Sequence, residues 1–185
     1  LKGFEGQGFK VKRLWAHPKW RAIFGLGGAS PLEVSFTFHK PLGFPFIPAS
    51  GLKGAARAYA ELVGNASETE IAEVFGPEPK ARKHDQGRVI FFDATPVGPP
   101  QLEGDVMNPH YGPYYQGKEP PADYHDPVPI PFVSVGSKSL FLFALASSEE
   151  RVLSKATKWL KGALAELGIG AKTSAGYGVF KVEES

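Results

Sequence analysis

The strongest periodicity in the chain runs through residues 150–167. Val152, Ala156, Trp159, Leu160, Ala163, Leu164 and Leu167 recur at steps of three and four, which puts them on one face of a helix. Residues 147–150, Ser-Ser-Glu-Glu, offer a capping box before this helix, and Gly168 supplies a stop after it. A second helix is predicted from Ser50, whose hydroxyl suits an N-cap. Its apolar stripe is Leu52, Ala55, Ala56, Tyr59, Leu62 and Val63, with Lys53, Arg57 and Glu61 on a neighbouring polar stripe. Residues 68–75 predict a short further helix, stopped by Gly76-Pro77.

Period-two alternation marks residues 32–39 as a strand: Leu32, Val34, Phe36 and Phe38 on one face, Glu33, Ser35, Thr37 and His39 on the other. Residues 21–27, 88–95 and 177–182 read as further strands, and 140–146 as a largely apolar, buried one. Residues 40–50 are a proline-punctuated, extended approach to the Ser50 helix, and residues 1–18 are assigned no element. The order of strands, helix, strands, helix and strand predicts an α+β domain of the ferredoxin-like, RRM-related type. That is an antiparallel sheet with two helices on one face, carrying long irregular insertions.

Composition changes this picture in a few places. At 185 residues the chain is expected to form one domain, spanning 1–185. Hydrophobic residues at 42% and charged residues at 22% are an ordinary globular profile, which excludes a largely disordered chain. No apolar run approaches a membrane span, and the absence of cysteine excludes disulfides and thiolate metal sites. Ten of the 17 prolines and four of the six tyrosines fall within 96–131, predicting an irregular insertion that is functional or mobile rather than idle. The chain opens on Leu1 and is read as a fragment; its start lacks the form of a signal peptide, so a cytoplasmic location is expected.

A net charge of +2 is too small to declare a nucleic-acid binder. Its distribution says more, since residues 1–21 carry a local balance of +5. Arg151, Lys155, Lys158 and Lys161 recur every three or four residues along the last predicted helix. Each cluster also fits a plainly solvated surface.

Three segments could carry chemistry. At the Ser50 helix, unpaired N–H groups, Lys53 in the first turn and Arg57 one turn on would form a compact anion site suited to RNA phosphates. A capped surface helix with two solvated cations is the alternative. Residues 168–178, with Gly170, Lys172, Thr173 and Ser174, resemble a nucleotide-binding loop but fail its motifs. Ala171 stands where a Walker A glycine belongs, and Thr173 stands at the third glycine of the dinucleotide fingerprint. Such a loop can still present amides and hydroxyls to a polynucleotide, or serve as a plain connection. The third segment, 105–115 with His110, Tyr111, Tyr114 and Tyr115, could stack on bases, pack on a neighbouring subunit, or fill its own loop. Catalysis is poorly supported: the five histidines are scattered and no metal-binding spacing occurs, so no cofactor or metal is expected. A general base such as His39 beside Lys53 could cleave RNA without metal.

These segments, in this order, resemble the RAMP superfamily of CRISPR effector subunits, over most of residues 20–182. Residues 45–57 and the glycine-rich loop 168–178 are the hallmarks. The pairing of residues 25–33 with Asp105-Val-Met-Asn-Pro-His110-Tyr111 and its continuation is similar to the sixth RAMP subunit of type III-B (Cmr) complexes. The resemblance implies a non-catalytic RNA-binding subunit of an RNA-guided interference complex in antiviral defence, near the 3′ side of the guide (CRISPR) RNA. It would cap the filament of repeating backbone RAMP subunits, beside a neighbouring RAMP protein and small helical subunits, with target RNA and no membrane. Carried over by motif, Ser50, Lys53 and Arg57 would contact the guide backbone, with Gly170, Lys172, Thr173 and Ser174 closing the groove. His110, Tyr111, Tyr114 and Tyr115 would meet RNA or the adjacent subunit. The alternatives are a metal-independent RAMP endoribonuclease using His39 or His110, and a protein–protein assembly scaffold.

Overall fold

The computed structural model describes residues 1–26, 36–77, 86–107 and 129–183. The main sheet is built from β1 (Lys10–Pro18), β3 (Ile90–Phe91), β7 (Phe141–Ser147) and β8 (Phe180–Val182), in the order β3-β7-β1-β8. Each neighbouring pair is antiparallel, and β4 (Thr95–Pro96) adds to β7 beyond β3. Helix α2 (Ala49–Leu62) lies in the chain between β1 and β3, and α4 (Glu150–Gly162) between β7 and β8. This is the split βαβ order of a ferredoxin-like fold.

Both helices bury one face against one side of the sheet. Leu52, Ala56 and Ala60 of α2 and Val152, Leu153, Ala156, Trp159 and Leu160 of α4 share a core with Leu14, Phe141, Phe143, Leu145 and Phe180. The short α3 (Glu68–Phe75) joins them through Ile71, Val74 and Phe75, with Phe75 stacked on Phe91 and Trp159. A three-stranded antiparallel sheet, in the order β2 (Arg21–Ala22), β6 (Ile130–Gly136) and β5 (Leu102–Met107), is inserted into this frame.

Several expectations need correction. Residues 1–18 hold α1 (Lys2–Gly6) and a central strand, β1. Its basic residues fit a strand because Arg13, on the face opposite Leu14, pairs with Glu5 of α1, while Lys12 pairs with Glu150. The strand expected at 21–27 ends at Ala22, and of the one expected at 32–39 only residues 36–39 are described, where Phe38 makes an isolated bridge to Pro45. The 88–95 strand is two short pieces, β3 and β4, and 177–182 shortens to β8. The insertion is not irregular throughout, since it contains β5 and the start of β6.

Ser50 does not cap α2. The helix begins at Ala49, and the Asp93 carboxylate accepts its amide from across the chain at 2.7 Å. The stripe of α2 turns toward small residues: Ala60 is buried, whereas Leu62 and Val63 are exposed. Alanines let α2 approach α4 closely, which a Leu62-facing helix could not do. The capping box before α4 does not form either: Glu149 is the N-cap, and Ser147 Oγ, donating to the Arg88 carbonyl at 2.8 Å, accepts from the Glu149 amide at 3.2 Å ahead of the helix. The box does occur at α3, where Ser67 and Glu70 satisfy each other reciprocally. The last turn of the α4 helix, Ala163–Leu167, is wound as a π-helix before Gly168.

Candidate nucleic-acid interface

The approach to α2 is pinned before the helix starts. Ile47 and Ala94 exchange backbone hydrogen bonds at 2.9 Å in both directions, which fixes Pro48 and the first turn beside the β3–β4 connection. The amides of that turn are largely consumed: Ala49 donates to Asp93, and Gly51 and Leu52 donate to the Pro48 carbonyl. The expected cradle of unpaired N–H groups is therefore mostly absent. What remains for an anion is side-chain charge, with Ser50 exposed and Lys53 half-buried. Arg57, one turn on, binds Glu61 through Nε at 2.8 Å.

The glycine-rich segment is a tightly stitched loop. Ile169 donates to the Gly178 carbonyl at 2.8 Å, closing its neck. Gly178 in turn donates to Arg21 at 2.8 Å, and Ala171 to Ile23 at 2.9 Å, which seams the loop onto the segment that follows β1. Two glycines are required for this closeness. A Cβ on Gly170 would overlap the Ile23 carbonyl and one on Gly178 the Ile169 carbonyl, and both have positive φ, 99° and 71°. Lys172 itself adopts a left-handed conformation, φ 58°, and opens a short 3-10 turn, Thr173–Ala175. Its ammonium lies 5.8 Å from the centroid of the Phe132 ring. Ser174 is exposed, and Thr173 half-buried.

The loop and the start of α2 lie side by side. A Cβ placed on Gly51 would be 4.0 Å from Cδ1 of Ile169, and Leu52 and Ile169 belong to the same buried cluster. The structure thus brings the Ser50–Lys53 turn and the Gly170–Ser174 loop onto neighbouring ground. His110, Tyr111, Tyr114 and Tyr115 lie outside the described residues.

Behind the loop stands a polar cluster that sequence reasoning did not assemble. Arg21 donates to Glu103 at 2.7 Å and to Asp105 at 2.5 Å, and the Tyr177 hydroxyl donates to the same Asp105 oxygen at 2.6 Å. The Tyr177 bond, with the Val106 amide and Arg21, holds the Asp105 carboxyl below its usual range against the opposing effect of burial. Burial, then the bond to Asp105, pushes the Tyr177 phenol up, and the two carboxylates raise Arg21 further. The exposed Trp20 ring leans on Tyr177, centroids 4.8 Å apart, with the Arg21 guanidinium 5.3 Å from its centroid. The alternation Glu103, Asp105, Met107 was the available signal, since it sets these carboxylates on one face of a strand.

The histidines form no catalytic arrangement among the described residues. His39 lies stacked on Phe44, centroids 4.9 Å apart, with its buried Nδ1 lacking a hydrogen-bond partner, and His17 meets Glu183 at 3.2 Å. Among the described residues no group of three or more His, Cys, Asp or Glu side chains is placed to hold a metal, and no helix is long and apolar enough to cross a membrane.

A ferredoxin-like sheet bearing a second, inserted sheet and a glycine-rich loop before its last strand defines the class. The RAMP superfamily model matches residues 21–181, and the chain belongs to that superfamily. It is similar to the CRISPR system Cmr subunit Cmr6 of Pyrococcus furiosus, 32% identical over 85% of this chain and 64% of that protein. The Cmr6 subunit of Saccharolobus solfataricus is 30% identical over 89% of this chain and 55% of its own length. The chain thus spans less than two thirds of these curated relatives. Among solved structures, a chain in the cryo-EM structure of the type III-B Cmr-β complex bound to cognate target RNA superimposes with a TM-score of 0.83 at 27% identity, covering 99% of this chain and 62% of the other.

Proposed function

We propose that this chain is a non-catalytic RNA-binding subunit of a type III-B CRISPR interference complex, cytoplasmic and engaged in antiviral defence. It grips the sugar–phosphate backbone of guide RNA toward its 3′ side and caps the filament of repeating backbone subunits. The observation that carries this reading is the adjacency of the α2 start and the glycine-rich loop, with Gly51 facing Ile169. Lys53 and Lys172 stand on two segments that meet at Gly51 and Ile169, an arrangement that suits a polyanion recognised by shape and charge. Arg57 lies one turn beyond Lys53 on α2, its pair with the exposed Glu61 being exchangeable for phosphate. The outer face of the second sheet exposes Leu102, Val106 and Val133, which supports contact with neighbouring subunits as part of the same role.

The test is a salt titration of single-stranded RNA binding by the wild type and by a Lys53→Ala, Arg57→Ala, Lys172→Ala variant. Each lost phosphate contact lowers the slope of log K against log salt by about 0.7. A variant that keeps both affinity and slope overturns the reading. The endoribonuclease alternative is not favoured by His39, whose ring is packed against Phe44 and Phe46.

A further inference from the structure

Trp20 is 49% exposed, while Trp159 is buried at 6%. A half-exposed indole is a large apolar surface left in water, and here it is not loose. Tyr177 supports it at a ring tilt of 45°, and the Arg21 guanidinium sits 5.3 Å from its centroid. Arg21 is in turn fixed by Glu103 and Asp105, and Tyr177 by Asp105. The ring is thus held before any ligand arrives, so little side-chain entropy remains to be lost on binding.

Its place matters as much as its rigidity. Tyr177 ends the glycine-rich loop, directly after the exposed stretch Ser174, Ala175 and Gly176, and Gly178 bonds the carbonyl of Arg21. The indole therefore stands beside the neck of the loop, which the Ile169–Gly178 bond closes, on the strand-ward side of the exposed turn. The local charge selects what can sit there. Two carboxylates surround one guanidinium, so the cluster repels a phosphate, whereas the exposed Lys19 directly precedes Trp20, and the Lys172 ammonium lies over Phe132, which packs edge-on to Tyr177. A neutral, flat, aromatic group meets no such penalty.

We propose that Trp20 is a base-stacking platform, taking one unpaired nucleobase of the RNA whose backbone follows the glycine-rich loop. This rests on the RNA-binding reading above and adds to it a contact that is made to a base, without sequence preference, because every base offers a π-face.

The experiment measures anisotropy of a fluorescein-labelled single-stranded RNA of about a dozen nucleotides, within the usual site size of such grooves. A matched set of strands carries one abasic ribose, moved position by position. Trp20→Ala is expected to weaken binding about ten-fold with the salt slope unchanged, since stacking releases no counterion. One abasic position should weaken the wild type by a similar factor and leave Trp20→Ala no weaker. Trp20→Phe, which keeps a ring on Tyr177, should retain most of the affinity. Undiminished affinity of Trp20→Ala, or abasic losses that add to it, overturns the proposal and assigns the indole to a protein contact. Should Trp20→Ala unfold, the abasic series on the wild type still decides: equal affinity at every position overturns stacking. The salt slope of the lysine and arginine variant separates this failure from failure of the groove itself.

Discussion

Replacing Gly170 by alanine tests how the glycine-rich loop is held. Gly170 has φ 99°, a conformation beyond the left-handed well that an L-residue enters only with strain, and its missing Cβ leaves room for the Ile23 carbonyl. The left-handed side of the map costs an L-residue about 1–2 kcal/mol. Relieving the overlap moves the loop off Ile23 and weakens the 2.9 Å bond from the Ala171 amide, a net loss of about 1 kcal/mol. Gly170→Ala should therefore destabilise the chain by about 2–3 kcal/mol. Gly176 is the internal control, because it has a similar φ of 91° yet nothing within 4 Å of an added Cβ. Gly176→Ala should show the backbone part alone, about 1–2 kcal/mol. Urea unfolding followed by tryptophan fluorescence measures both. Equal losses for the two variants would mean that the loop is not seated on Ile23, and a wild-type midpoint for Gly170→Ala would refute the reasoning outright.

Glu70 accepts from Lys155 and from the backbone and side chain of Ser67, which lowers its pKa from 4.5 to about 2. A depressed folded-state value stabilises above the unfolded one, so this contribution is complete above about pH 4.5 and lost as pH falls toward 2. Glu70→Gln should flatten the pH dependence of the urea midpoint in that window and leave its shape near neutrality unchanged. Asp105→Asn weakens its bonds with Arg21 and Tyr177 and should cost about 1–3 kcal/mol. A double-mutant cycle with Tyr177→Phe should give a coupling near one hydrogen bond, about 1 kcal/mol, and strict additivity would contradict the shared site. Phe180→Ala removes a fully buried ring set edge-on to Phe141 and Phe143, and calorimetry should register a loss of about 3–5 kcal/mol.

The parts of this fold that a reader could find in the chain are those where burial follows one local period. The α4 face is such a case: Val152, Ala156, Trp159, Leu160, Ala163 and Leu164 are all buried. β1 was hidden because Lys10, Lys12 and Arg13 look like a solvated cluster until Glu150 and Glu5, from two different elements, pair with Lys12 and Arg13. β5 was hidden for a related reason, since Glu103 and Asp105 face inward toward an arginine more than eighty positions away. In α2 the bulkier Leu62 and Val63 outweighed Ala60 by hydrophobicity, but closeness to α4 favours the smaller side chain. The candidate site was legible in its motifs and not in its wiring. Lys53 and Lys172 could be named from the sequence. That Asp93 occupies the helix start, and that Trp20 stands against Tyr177, are long-range facts no local pattern carries.

In the proposed function the α2 start and the glycine-rich loop grip one RNA strand together. Ultraviolet crosslinking of the chain to single-stranded RNA, with crosslinked peptides identified by mass spectrometry, reads this directly. The result predicted is crosslinks in two peptides, one spanning residues 49–57 and one spanning 168–178, lost together in the Lys53→Ala, Arg57→Ala, Lys172→Ala variant. Crosslinks confined to the outer face of the main sheet, around Trp15 and Lys181, with both predicted peptides unmodified, would contradict it.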